Sequence, residues 1–198
     1  MAPELGGHHH GPLLALGADH RGLRRQLSHP ASSSSAGPRF MIVQIATLGP
    51  LGRLKAPGTW GSAAGLLWWA LVVRMAHAKG GPHEFIFDAL VVVMAILVCG
   101  VAAAFIGKKD PSEIILDEFA AMPLVFLFNP YVYGGASAFL LILLGFLFFR
   151  LFDITKPFGI KALEKLPGGF GIVLDDVMAA IYANLALQAV ARLWAILV

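Results

Sequence analysis

The most informative shortage in this sequence is of charge, because only 14% of its 198 residues are charged while 58% are hydrophobic. Soluble domains carry about 25% charged residues, so this composition excludes an ordinary soluble globule, a disordered protein and a nucleic-acid-binding module. The single cysteine, Cys99, lies in an apolar run, which leaves no disulfide framework and no thiolate metal cluster. A mean hydropathy of +0.74 instead indicates a small integral membrane protein of one domain.

Residues 1–40 differ from the rest of the chain, because they combine clusters of glycine, histidine, serine and proline with no hydrophobic periodicity. Such a segment cannot bury enough apolar area to offset the entropy of ordering it. It also lacks the long apolar stretch and the cleavage site of a signal peptide. We therefore predict a disordered N-terminal extension over 1–40 and a membrane-embedded domain over 41–198.

From Met41 onward, four or five hydrophobic segments alternate with polar junctions, which predicts an all-α, polytopic membrane bundle. One segment, 85–107, is long enough to cross a bilayer at about 1.5 Å per residue. Another, 119–128, is too short to cross alone, so it either joins residues 114–116 or forms a re-entrant helix. The predicted segments are 63–76, 85–107, 119–128, 136–152 and 177–198.

The charged residues of the junctions are distributed unevenly between the two sides of this bundle. The junctions 49–62, 108–118 and 150–176 carry most of the lysines and arginines, so the positive-inside rule assigns their side to the cytoplasm. Most of the acidic residues fall in the same junctions. We therefore expect a carboxylate-rich face at the cytoplasmic side.

Three groups of carboxylates stand at the edges of apolar segments. Asp117–Glu118 and Asp175–Asp176 precede predicted helices, and Asp153 ends another. Ionisable groups at membrane-helix ends are costly unless solvated or paired, which makes them candidates for a functional site. Acids from separate helices are typical ligands of Mg²⁺, which would also relieve the repulsion between adjacent carboxylates. The alternative is that Asp117 and Asp175 are helix N-caps, but three groups on one side favour the metal site.

Two cations flank one of these acids, since Arg150 and Lys156 stand on either side of Asp153. A planar guanidinium and an ammonium beside a metal-binding carboxylate suit a phosphate group. The alternative for both residues is anchoring at the level of the lipid headgroups. The glycine-rich run at 168–171 could add backbone N–H groups for an anion, although such a run alone is a weak signal.

The start of the first hydrophobic segment is a second candidate for anion binding. Thr59 and Ser62 lie where a helix is predicted to begin, and its free N–H groups favour an anion there, with the aromatic Trp60 beside them. The alternative is a capped helix entry whose small residues permit close helix packing.

Four motifs, PGTWGS, ILDEF, FRLFDITKP and GGFGIVLDDVMAAI, occur in this order. Together they resemble the phosphatidylglycerophosphatase A family over residues 45–187. The resemblance implies a Mg²⁺-dependent phosphatase of the bacterial inner membrane that converts phosphatidylglycerophosphate to phosphatidylglycerol, with the site facing the cytoplasm. The implied catalytic and metal-binding residues are Asp117, Glu118, Asp153, Asp175 and Asp176, and the implied substrate-binding residues are Arg150, Lys156, Thr59, Trp60 and Ser62. Which carboxylate binds metal and which acts as a base stays open.

Some other chemistries are excluded and others remain as alternatives. The sequence has no Cys-x₅-Arg loop, and Asp153-Ile154-Thr155 lacks the second acid of a DxD phosphatase loop. Water attack and an aspartyl-phosphate intermediate both stay open. A phosphotransferase of the CDP-alcohol type would also collect acids at the cytosolic face, but its DG and AR elements are missing. A divalent-cation transporter would place acids near the bilayer midplane rather than at helix ends.

Overall fold

The computed structural model describes residues 37–76, 82–134 and 138–197. These residues form helices joined by turns, with no β-strand among them, so the predicted all-α class is confirmed. The α-helices are α1 (Pro38–Ala46), α2 (Pro57–Ala76), α3 (Pro82–Ile106), α4 (Leu116–Ala121), α5 (Ala138–Thr155), α6 (Ile160–Leu163) and α7 (Gly169–Leu197). Short 3₁₀ helices lie at Leu51–Arg53, Met122–Phe126 and Pro130–Val132.

Within the described residues, three helices are long and apolar enough to cross a membrane, namely α3, α5 and α7. The predicted membrane bundle is therefore confirmed as a class. The predicted number of four or five hydrophobic helices stays a prediction.

The first described helix begins slightly earlier than the predicted domain boundary at Met41. α1 starts at Pro38, and proline is favoured at the first helical position because its missing N–H needs no partner there. The helix packs along α3, where the Arg39 guanidinium lies 5.4 Å from the centre of the Phe105 ring. The predicted disorder of residues 1–36 lies outside the described part of the chain.

The short segment predicted at 119–128 is a broken helix inside the bundle. α4 is followed directly by the 3₁₀ helix Met122–Phe126, and most of their side chains are buried while the rest are half-buried. Such a break leaves backbone carbonyls without helical partners, which is costly in an apolar environment. Asn184 of α7 compensates, because its Nδ2 donates to the carbonyls of Leu124, Val125 and Leu127 at 3.1, 2.9 and 2.9 Å. This amide fixes the segment that carries α4.

Glycines allow α2 to approach α4 at backbone distance. A Cβ added to Gly61 would lie 2.7 Å from the Ile115 carbonyl oxygen, and one added to Gly65 would lie 2.5 Å from that of Phe119. Small residues that permit such contact are common between membrane helices. These glycines therefore serve close helix packing, which was the alternative interpretation of the PGTWGS motif. The close packing brings α2 next to the acids of α4.

The last helix begins eight residues before the predicted start at residue 177. Gly169 and Gly171 form its first turn, so most of the glycine-rich run at 168–171 is helical. The reason is packing, because a side chain on Gly169 would collide with the Ile96 carbonyl and approach the Gly100 backbone of α3. As a result Asp175 and Asp176 lie in the second turn of α7 rather than before it.

Candidate active site

A polar cavity of about 270 Å³ opens at the end of the bundle where α2 and α7 begin and α5 ends. Its walls come from the start of α2, the segment 110–114, α4, the end of α5 and the second turn of α7. All five acids and both cations predicted from the sequence as site residues line this cavity: Asp117, Glu118, Arg150, Asp153, Lys156, Asp175 and Asp176. The fold therefore brings together side chains that are up to 59 positions apart in the chain, from Asp117 to Asp176.

Three carboxylates form a compact group in this cavity. One oxygen each of Asp117, Glu118 and Asp176 lies within 4.8 Å of the others. Asp117 and Asp176 are buried and Glu118 is half-buried. Asp117 Oδ1 and Glu118 Oε2 are buried and have no hydrogen-bond partner among the described residues. Buried anionic oxygens without partners, gathered at one point, fit the preference of a hard divalent cation for oxygen ligands.

The protonation of the two acids on α4 reflects this crowding. Burial raises the pKa of Asp117 well above its ordinary value, and the charges of Glu118 and Asp176 raise it further. Burial also raises the pKa of Glu118, although a hydrogen bond with Asp117 and the charge of Arg150 partly offset the effect. Burial and mutual repulsion thus disfavour the ionised form of these acids, whereas a bound divalent cation would favour it.

Arg150 is held by side chains from two helices. It donates to Asp153 Oδ2 at 2.6 Å, one turn along α5, and to Ser62 Oγ of α2 at 3.2 Å. Ser62 in turn donates to the Gly58 carbonyl at 2.8 Å, so its hydroxyl is fixed for this contact. The Nε of Arg150 is buried and has no hydrogen-bond partner among the described residues.

Lys156 forms ion pairs with two carboxylates. Its Nζ lies 2.6 Å from Asp175 Oδ2 and 2.8 Å from Glu164 Oε1, which follows α6. Burial alone would lower the pKa of the ammonium, but the hydrogen bonds to Asp175 and Glu164 outweigh burial and raise it. Lys156 therefore stays charged. A phosphate that bound its ammonium group would compete with Asp175 and Glu164 for it. Asp175 Oδ1 is buried without a partner in the described structure.

Three predicted site residues, Thr59, Trp60 and Ser62, lie outside the cavity walls. Thr59 is exposed, and Trp60 is 47% exposed and donates its indole N–H to the Lys55 carbonyl at 3.2 Å. Ser62 is buried and reaches the site only through Arg150. The PGTWGS motif thus faces the cavity with Gly58, at the position where a Cβ would meet the carboxylate of Glu118 and the guanidinium of Arg150.

The alternative that the paired acids are helix caps is wrong. The N-cap of α4 is Ile115, and no side chain caps that helix. α7 begins at Gly169, six residues before Asp175. Sequence reasoning also missed two contributors, Gly58 and Glu164. A glycine one residue after a helix-starting proline was the available signal for the first, but no local pattern marks the pairing of Glu164 with Lys156.

The fold and this cavity define an integral membrane protein with a recessed site at one end of its helical bundle. The site is lined by acids and by an arginine. Residues 44–191 match the phosphatidylglycerophosphatase A family, which covers most of the chain. The chain therefore belongs to that family, as the resemblance of its motifs implied.

Three relatives extend this result. The chain is 38% identical to "Phosphatidylglycerophosphatase A" of Haemophilus influenzae over 68% of its own length and 78% of that protein. It is 28% identical to the Escherichia coli protein of the same name, over 70% of its own length and 76% of the relative. A Bacteroides thetaiotaomicron protein provisionally named a phosphatidylinositol-3-phosphatase is 31% identical over 80% of this chain and 98% of its own length. No solved structure matches the chain.

Proposed function

We propose that this protein hydrolyses the terminal phosphate of phosphatidylglycerophosphate, releasing phosphatidylglycerol and inorganic phosphate, with Mg²⁺ bound in the acidic cavity. Family membership and the names of two relatives support the reaction. The observation that carries the proposal is the group of Asp117, Glu118 and Asp176 oxygens gathered beside Arg150. Acids and a guanidinium at one point match what a phosphoryl group and its counterion require.

Asp117, Glu118 and Asp176 would hold the metal ion, because two of them have buried oxygens that lack any other partner in the described structure. When bound, Mg²⁺ supplies charge neutralisation at the phosphoryl group. The resemblance also implies Asp153 and Asp175 as ligands. These two are engaged by Arg150 and Lys156, so we assign them mainly to positioning those cations.

Arg150 is the side chain best placed to bind the phosphate, because it lines the cavity together with the three converging carboxylates. Ser62 and Asp153 hold the guanidinium in place and reduce the entropy lost on binding. In the reaction an oxygen of water bonds to phosphorus while the ester P–O bond breaks. A carboxylate of the cavity takes a proton from the water and returns it to the departing glycerol oxygen, so the step balances as phosphatidylglycerol plus phosphate.

We further propose that the cavity faces the cytoplasm from the bacterial inner membrane. The segments around it carry Lys55, Lys108, Lys109, Lys161 and Lys165, as the positive-inside rule requires of cytoplasmic junctions. A cytoplasmic opening would give the enzyme access to lipid phosphates made at that surface.

The experiment is phosphate release by the detergent-purified protein with and without Mg²⁺, followed by EDTA. The substrates are phosphatidylglycerophosphate and phosphatidylinositol 3-phosphate, since one relative carries the second name. We expect Mg²⁺-dependent release that favours phosphatidylglycerophosphate and stops with EDTA. Release that EDTA leaves unchanged contradicts the metal assignment, and a preference for phosphatidylinositol 3-phosphate contradicts the substrate assignment.

A further inference from the structure

A second cavity runs beside α7 from Val177, next to Asp176, toward the end of the bundle where α3 begins. It is an apolar groove of about 440 Å³ between α3 and α7, with the chain around Leu127 and Phe128 at its base. On α7 it is lined by Val177, Ile181 and Leu185, and on α3 by residues of the first half of that helix. An apolar groove of this kind on a membrane helix pair is suited to a hydrocarbon chain.

A smaller pocket of about 130 Å³ lies next to this groove, because Phe128 lines both. Gln188 and Arg192 of α7 and Asn129 form its polar wall. The Oδ1 of Asn129 accepts from the Tyr131 N–H at 3.2 Å, while its Nδ2 has no partner in the described residues, although the side chain is only 1% exposed. Arg192 donates to Gln188 Oε1 at 3.0 Å and is exposed.

The groove and the pocket follow one face of α7. Val177, Ile181, Leu185, Gln188 and Arg192 are spaced by three or four residues, which places them in one stripe along a helix. The stripe extends over about 22 Å at 1.5 Å per residue. That length matches half of a bilayer of about 40–45 Å including its headgroups. Its apolar part and its polar end are therefore arranged like the chain and the headgroup of one phospholipid.

We propose that this stripe binds a phospholipid with an anionic headgroup in the leaflet opposite the catalytic cavity. Arg192 provides the positive charge for the phosphate, and Gln188 and Asn129 border the same pocket with amide groups. The pocket lining contains no carboxylate among the described residues, so nothing in it matches the amine of a zwitterionic headgroup.

The observations favour this lipid over an acyl chain of the substrate. The groove and the acidic cavity share no lining residue in the described structure, whereas the groove and the Arg192 pocket share Phe128. Arg192 also lies sixteen residues, or about 24 Å along α7, from Asp176. The bound lipid is therefore distinct from the lipid whose phosphate enters the cavity.

The test is native mass spectrometry of the full-length, detergent-purified protein titrated with phosphatidylglycerol or with phosphatidylcholine. We expect tighter binding of phosphatidylglycerol, and an affinity about fivefold lower for it in Arg192→Gln, as the loss of one cation near a phosphate predicts. Ile181→Trp fills the groove and should weaken both lipids, while Leu193→Trp, which is exposed on another face of α7, should change neither.

Equal affinity for phosphatidylglycerol in Arg192→Gln and the unchanged protein would overturn the proposal. So would unchanged lipid binding in Ile181→Trp together with a raised KM for long-chain substrate, because the groove would then hold the substrate. Arg192→Gln alters a surface residue, so it remains informative if the tryptophan variant fails to fold. Lipid binding is measured without turnover, so the result does not depend on the proposed reaction.

Discussion

Carboxylates are buried at both ends of this bundle, but their neighbours differ between the two ends. At the cavity end, Asp117, Glu118 and Asp176 direct oxygens toward one another beside Arg150. Near the start of α3, Glu84 instead accepts hydrogen bonds from Trp69 Nε1 at 3.2 Å and from the Tyr133 hydroxyl at 3.1 Å. One end gathers acids from different helices, while the other surrounds an acid with neutral donors.

The comparison teaches that burial of an acid does not by itself identify a reactive site. Asp88, one turn along α3 from Glu84, is also buried and its Oδ2 has no partner, yet no third carboxylate joins the two within the described residues. Neutral donors satisfy a carboxylate and stabilise the fold. Convergent acids with unpartnered oxygens remain unfavourable until a cation binds, which is why the cavity end is the candidate for chemistry.

The largest expected effect contrasts one acid from each end. Asp176→Asn should lower kcat/KM for phosphatidylglycerophosphate by about a hundredfold or more, because it removes one of the three converging charges. Glu84→Gln keeps an acceptor for Trp69 and Tyr133 and should change kcat/KM by less than about threefold. Phosphate-release assays on both variants check this. Equal losses in the two variants would remove the distinction between the ends.

The next largest effect concerns the amide that supports the acidic segment. Asn184→Ala removes the amide that donates to the carbonyls of Leu124, Val125 and Leu127, so the free energy of unfolding should fall by about 2 kcal/mol. Unfolding by SDS titration measures it, and Leu193→Ala, an exposed position on the same helix, is the matched control. If the two variants unfold alike, water or lipid must satisfy those carbonyls instead.

A smaller effect tests the contact between α2 and the site. In Gly58→Ala the added methyl group displaces the Glu118 carboxylate and the Arg150 guanidinium, so activity should fall about tenfold with little loss of stability. Gly134→Ala adds a methyl group where no heavy atom lies within 4 Å, and it should retain full activity. Full activity of the Gly58 variant would show that the site accommodates the methyl group without cost.

The smallest effect is expected at the two residues that face away from the cavity. Thr59→Val and Trp60→Phe should each change kcat/KM by less than about threefold, because both side chains are exposed and neither lines the site. Activity assays over a range of substrate concentrations measure both parameters. A tenfold rise in KM for either variant would mean that the lipid contacts the outer face of α2.

Much of the fold followed from the spacing of apolar runs, because a membrane-spanning helix must satisfy its backbone internally and so needs a long hydrophobic segment. α3 and α5 begin and end within three residues of their predicted bounds. The start of α7 could not be predicted in the same way. Glycines at its first turn are typical of loops, and only the close approach of Ile96 and Gly100 from α3 makes them helical.

The residues that form the site were easier to predict from the sequence than the ion pairs among them. Carboxylates at the ends of apolar runs had to meet on one side, and Asp117, Glu118 and Asp176 do so in the described structure. The partners of Lys156 could not be inferred, because Glu164 and Asp175 reach it from separate helical segments. The role of Gly58 also depends on tertiary contact and leaves little trace in local spacing.

The central claim is that Asp117, Glu118 and Asp176 form a divalent-cation site, and binding of Mn²⁺ tests it most directly. Mn²⁺ prefers the same carboxylate ligands as Mg²⁺ and is visible by electron paramagnetic resonance. The protein in detergent should bind one Mn²⁺ that Mg²⁺ displaces, Asp117→Asn should lose it, and Glu84→Gln should retain it. Undiminished Mn²⁺ binding in Asp117→Asn would contradict the account.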